Sequence, residues 1–123
     1  MIILVGLPKS GTTSFQHLFL SLGLKSIHWT YNNKFIGTEI KKNKENGRKL
    51  LHGFENIDCI TQLDVCFSKE HCYWPQITDY EQLYKENPNA VFILNMRDPI
   101  KILNSFKRWN NYNKRLTTFN PEI

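Results

Sequence analysis

The 123-residue sequence has little that would staple it, anchor it or send it elsewhere. It holds three cysteines, Cys59, Cys66 and Cys72. So small and odd a number argues against a disulfide framework and for a reducing compartment. Cys66, His71 and Cys72 are metal-ligand types close in sequence, but no fourth is evident, so no metal is expected. No apolar run approaches the length of a bilayer span. The opening Ile2-Ile3-Leu4-Val5 is too short for a signal-peptide core and lacks a basic segment before it, which leaves a cytoplasmic protein as the expectation. There is no internal repeat and no domain linker. The length suits one small domain over residues 1–123, and not two. Acidic residues are the minority charge, 11 against 16 lysines and arginines, for a formal net charge of +5. That surplus suits an anionic partner: a nucleotide, a sulfated product, a nucleic acid or a membrane surface. No nucleic-acid-binding motif accompanies it, so nucleic acid is not the expected partner.

What is present is the alternation of an α/β domain. Hydrophobic residues make up 41% and aromatics 13%, the composition of a globular chain. Ile2 to Val5 reads as a parallel strand buried on both faces. Gly6 to Gly11 is a turn by composition, and Thr12 to Leu22 a helix with Phe15, Leu18, Phe19 and Leu22 on its apolar side and Gly23 as its cap. Ser26 to Thr30 reads as a short strand. Ile36, Ile40, Leu50, Leu51 and Phe54 suggest one or two helices around a polar, solvated run from Lys41 to Lys49. Cys59 to Leu63 is a second buried strand. Thr78 and Asp79 offer caps for a helix through Glu86, which Asn87-Pro88 stops. Ala90 to Leu94 is another clear strand. Asp98-Pro99 then starts a helix with Ile102, Leu103, Phe106 and Trp109 on its buried stripe. Strands alternating with helices predict a three-layer fold with a central parallel sheet flanked by helices.

The segment Gly6-Leu7-Pro8-Lys9-Ser10-Gly11-Thr12-Thr13 joins the first strand to the first helix. There the backbone N–H groups of the turn and the helix N-terminus converge into an anion cradle. Lys9 adds a mobile positive charge, and Ser10, Thr12 and Thr13 add hydroxyls. The Gly-x4-Gly spacing is that of a Walker A loop, but Thr12 stands where the phosphate-gripping lysine belongs. The lysine sits inside the loop instead, which argues against an ATPase or kinase.

Pro8-Lys9-Ser10-Gly11-Thr12-Thr13 resembles the 5'-phosphosulfate loop of the sulfotransferases, commonly PKSGTT. A second element of that family is an arginine ending a later strand, followed by Asn or Asp, then Pro, and then a helix serine eight residues after the arginine. Arg97-Asp98-Pro99 and Ser105 match it at that interval. The resemblance spans about residues 2–109. From Asn56 to Trp109 it is most similar to the small branch found in bacteria, protists and large viruses. The resemblance implies a P-loop-like fold that binds 3'-phosphoadenosine 5'-phosphosulfate without a metal and transfers its sulfuryl group to a hydroxyl or amine acceptor. Pro8 to Thr13 would hold the 5'-phosphosulfate, Arg97 and Ser105 the 3'-phosphate, and Lys9 would stabilise the leaving oxygen. The residues themselves agree: a guanidinium at the carboxyl end of a strand is placed to grip phosphate with paired hydrogen bonds.

The general base stays open among Asp64, His28 and, behind them, His71. The tryptophan that follows PKSGTT in the cytosolic branch is Ser14 here, so adenine stacking would fall to Trp29, Trp74 or Trp109, or to none of them. No match to the family's later basic, glycine-containing segment precedes Ile123, and the domain is expected to be incomplete at its C-terminus. The alternatives are a non-catalytic module that binds the same nucleotide and a P-loop kinase or NTPase.

Overall fold

The computed structural model describes residues 1–109 and 112–119, without the side chains of Asn113 and Leu116. Its elements begin β1 (Ile2–Leu4), α1 (Thr12–Ser21), β2 (Ser26–Ile27), β3 (Thr30–Tyr31), β4 (Lys34–Phe35) and α2 (Ile36–Glu45). They continue β5 (Cys59–Ile60), β6 (Val65–Cys66), β7 (Cys72–Tyr73), α3 (Pro75–Thr78), α4 (Tyr80–Glu86), β8 (Val91–Ile93), α5 (Pro99–Lys107) and α6 (Tyr112–Phe119).

The central sheet is parallel, in the order β2-β5-β1-β8. Ile3 pairs with Ile60 on one side and Phe92 on the other. Successive side chains of a strand point to opposite faces, and β1 is apolar on both. Ile3 packs with Ile36, Ile40, Leu50 and Leu83 on the face covered by α2 and α4. Leu4 packs with Phe19 and Cys59 on the face covered by α1. The sheet is therefore the middle layer of three, and the expected α/β, P-loop-like architecture is the observed one.

Local sequence decides most element ends. Gly11 enters α1 at φ 93° and Gly23 leaves it at φ 78°, both in the left-handed region that glycine tolerates. The Asp98 carboxylate accepts from the Ile100 N–H at 3.0 Å, and Pro99 fills the first helical position. Two expected apolar stripes are narrower than their sequence. Leu18 and Leu22 are exposed while Phe19 is buried, because α1 meets the sheet along the Phe15–Phe19 row and the Leu18–Leu22 row lies to its side. Likewise α5 buries Ile102 and Phe106 but leaves Leu103 exposed. Asp79 precedes α4 without capping it. Its carboxylate takes hydrogen bonds from Lys44 (2.5 Å), Tyr73 (2.5 Å) and Thr78 (2.9 Å). In the polar run Lys41–Lys49, Asn43 is buried and donates to the carbonyls of Leu50 and His52, both at 2.9 Å.

One expectation is corrected. Cys66 and Cys72 are joined in a disulfide, because they are direct cross-strand partners in the β6–β7 pair, and Cys59 alone is free and buried. The odd cysteine count therefore gives no ground for a reducing compartment. Among the described residues no group of three His, Cys, Asp or Glu side chains is arranged to hold a metal, and no helix is long and apolar enough to cross a membrane.

Candidate active site

The loop after β1 is held by a residue far away in sequence. Buried Asn95, two residues past β8, accepts from the Gly6 N–H at 3.0 Å and donates to the Ser10 carbonyl at 3.1 Å and to the Ser10 hydroxyl. Ser10 is itself buried, and its hydroxyl donates to the Leu7 carbonyl. Pro8 is buried beside it. Pro8 and Ser10 thus shape the loop from within. Gly6 is needed for closeness: a Cβ there would overlap both the side chain and the carbonyl of Asn95. Lys9 stands at φ 65° and Gly11 at φ 93°, left-handed residues on either side of Ser10, an alternation of the kind that turns backbone N–H groups toward one concavity. For a lysine that conformation is strained, and such strain persists where the surroundings enforce it. Arg97 supplies part of that enforcement, donating to the Lys9 carbonyl at 2.9 Å.

Above the loop lies a cavity of about 330 Å³ lined by Lys9, Gly11, Thr12, Thr13, His28, Trp29, Gln62, Arg97 and Trp109. Lys9 follows β1, His28 follows β2, Gln62 follows β5 and Arg97 follows β8. Each strand of the parallel sheet delivers one polar side chain from its carboxyl end, the edge where open α/β sheets place ligands. None of the lining residues is acidic and two are cationic, so the cavity favours an anion. The Lys9 ammonium lies 4.3 Å from the centre of the Trp109 ring, a cation–π contact. Trp109 stacks on Tyr112 at 4.5 Å. Trp29, also at a positive φ of 62°, packs its ring 5.1 Å from Phe35.

The sequence candidates separate by position. Lys9, Gly11, Thr12, Thr13, Arg97 and His28 meet at the cavity. Ser105, two turns into α5, is half-buried and does not line it. Asp64 is buried behind Gln62 and outside the cavity wall, accepting from Gln76 at 2.7 Å and Gln62 at 3.4 Å. Burial pushes its carboxyl up to about 6, against the hydrogen bonds from Gln76 and Gln62. His71 shares a 2.8 Å hydrogen bond with Thr38 and faces a separate cavity of about 430 Å³. His28 shares a 2.9 Å hydrogen bond with Thr61, and burial, then His17, lowers its pKa, which keeps the imidazole neutral at neutral pH. Trp74 is in the core, whereas Trp29 and Trp109 flank the cavity. Sequence reasoning missed Asn95 and Gln62, whose only signals were that Asn95 directly follows the apolar run Ala90–Leu94 and that Gln62 is a polar residue within the run Cys59–Leu63.

A family model described as a sulfotransferase domain matches residues 1–120. The chain belongs to the sulfotransferase-domain family. No curated protein matches it. Family membership places the chain among transferases that act between a donor and an acceptor. The matched stretch includes the Gly6–Thr13 turn and all four strands of the parallel sheet.

Proposed function

We propose that this sulfotransferase domain transfers the sulfuryl group of 3'-phosphoadenosine 5'-phosphosulfate to a hydroxyl or amine acceptor, without a metal. The observation that carries the reading is the convergence of Lys9, Thr12, Thr13, His28 and Arg97 on one cavity with no acidic lining. An anionic donor needs cations and amides, and a nearby carboxylate would repel it. Thr12, Thr13 and the loop amides would hold the 5'-phosphosulfate. Arg97, whose guanidinium is tied to the loop by one N–H, keeps further donors for the 3'-phosphate.

Sulfuryl transfer asks the protein for orientation, charge stabilisation and removal of one proton. The acceptor oxygen or nitrogen bonds to sulfur as the bond to the bridging oxygen breaks. Lys9 would meet the negative charge growing on that leaving oxygen. His28 would take the acceptor's proton, being neutral, at the cavity wall and on the edge opposite Arg97's strand. Asp64 is a poorer base for the same step because Gln62 stands between it and the cavity.

The test is sulfuryl transfer from the isotope-labelled donor to a panel of phenols, alcohols, amines and sugars. Labelled product that disappears in Lys9→Ala and His28→Gln supports the assignment. Binding of adenosine 3',5'-bisphosphate with no transfer to any acceptor would leave a nucleotide-binding module.

A further inference from the structure

We propose that Thr61, held by Gln16 and Ser26, is the positioning residue that fixes the tautomer of His28, keeping its hydrogen on Nδ1 and presenting Nε2 as the acceptor. None of the three lines the cavity. Thr61 follows β5, Gln16 lies in α1 and Ser26 begins β2, so three elements converge beneath one imidazole.

The argument is a count of hydrogens. Thr61 is fully buried, and its Oγ1 has three polar neighbours: His28 Nδ1 at 2.9 Å, Gln16 Oε1 at 3.1 Å and the Ile27 carbonyl at 3.1 Å. The Gln16 amide is oriented by Ser26, whose carbonyl accepts from Nε2 at 2.9 Å and whose hydroxyl donates to Oε1 at 2.5 Å. Turning that amide over would set its oxygen against the Ser26 carbonyl, acceptor against acceptor. With the amide so fixed, two of the three neighbours of Thr61 Oγ1 are oxygens that cannot donate. The single hydroxyl hydrogen goes to one of them, and the lone pair left on Oγ1 receives Nδ1–H. Were Nδ1 bare, the hydrogen would have to turn to it. Oγ1, which is fully buried, would then face both oxygens with lone pairs alone, and unmatched polar atoms at a buried position are costly.

The surroundings favour the neutral ring as well. Lys9 and Arg97 share its cavity, His17 lies nearby on α1, and no carboxylate lines the cavity to draw a second proton onto it. The catalytic consequence rests on the sulfotransferase reading: an imidazole carrying its hydrogen on Nε2 has no lone pair at that nitrogen to receive the acceptor's proton.

Nitrogen-15 NMR of the intact chain reads the tautomer without any acceptor, with His28→Gln identifying the signals. The wild type should show a protonated Nδ1 and a bare Nε2. Thr61→Val, close in volume, should shift the population toward Nε2–H at least fivefold, and Thr61→Ser should restore it. If Thr61→Val does not fold, Gln16→Leu should shift the ratio in the same direction by a smaller factor. In turnover, Thr61→Val should lower kcat at least tenfold with nucleotide affinity within twofold of wild type. A wild-type ring protonated on Nε2, or a tautomer ratio indifferent to Thr61 and Gln16, overturns the proposal. If the tautomer behaves as stated while no acceptor is ever sulfated, the positioning stands and the proposed reaction falls.

Discussion

Lys9 combines three observations that a lysine in an ordinary loop would not. Its backbone is left-handed, its carbonyl is held by Arg97, and its ammonium rests on the Trp109 ring. If it serves the leaving oxygen, its effect belongs to the transition state, where the charge grows. Lys9→Ala should lower kcat about 100-fold, the usual scale for losing one such donor, with donor affinity falling much less. Steady-state kinetics separates this from uniform binding, which would raise KM alone. Arg97→Ala should weaken adenosine 3',5'-bisphosphate by about 2–4 kcal/mol, the cost of a lost charge-assisted phosphate contact. Because Arg97 also braces the Lys9 carbonyl, a nucleotide lacking the 3'-phosphate should lose about 1 kcal/mol too. Asp64 makes a prediction about stability. Its folded pKa, about 6, lies above the ordinary 3.8, so the stability tied to its protonated form is full below about pH 4 and lost as pH rises through 6, about 3 kcal/mol in all. Asp64→Asn should flatten denaturant midpoints between pH 4 and pH 7.5, and an unchanged pH slope would mean that the carboxyl titrates normally. Lys9 and Arg97 were legible in the sequence because local patterns mark them. Asn95 was not, since its hydrogen bonds cross 85 and 89 residues of chain, and no window of sequence contains both ends.

The elements were legible wherever one local rule sufficed. Glycine at positive φ ended α1, aspartate and proline opened α5, and continuous apolar runs marked β1 and β8. The two antiparallel pairs were not legible, because two-residue strands carry no periodicity to read. Even so, the β3–β4 turn carries a composition signal: Asn32 and Asn33 both take positive φ, 52° and 62°, as a two-residue hairpin turn requires. The disulfide was hidden for a similar reason, since only the β6–β7 register brings Cys66 opposite Cys72. For the Gly6–Thr13 turn itself, the element-scale prediction concerns Gly6. Gly6→Ala drives a methyl into Asn95 and forces the β1–α1 turn away from the strand that carries Arg97. Nucleotide binding should fall at least tenfold by calorimetry, with a lowered Tm. Wild-type affinity in this variant would show that the Asn95 clamp does not set the loop.

At the scale of the whole molecule, the sheet does the organising. A parallel sheet points every strand's carboxyl end the same way, and here the residues just beyond those ends are Lys9, His28, Gln62 and Arg97. The two helical layers cover the faces and leave that edge open to the cavity. The basic surplus of the sequence takes a local form at this edge, as two cations without a lining carboxylate. On the proposed reading, Thr12 in place of the Walker lysine, with Lys9 and Arg97 at the cavity, favours a donor with a 3'-phosphate over a magnesium-bound triphosphate. The most direct measurement is calorimetric titration with adenosine 3',5'-bisphosphate and with ATP, each with and without magnesium. The account predicts that the bisphosphate binds without the metal and at least tenfold tighter than ATP does. Equal affinities, or binding that appears only when magnesium is added, would contradict it.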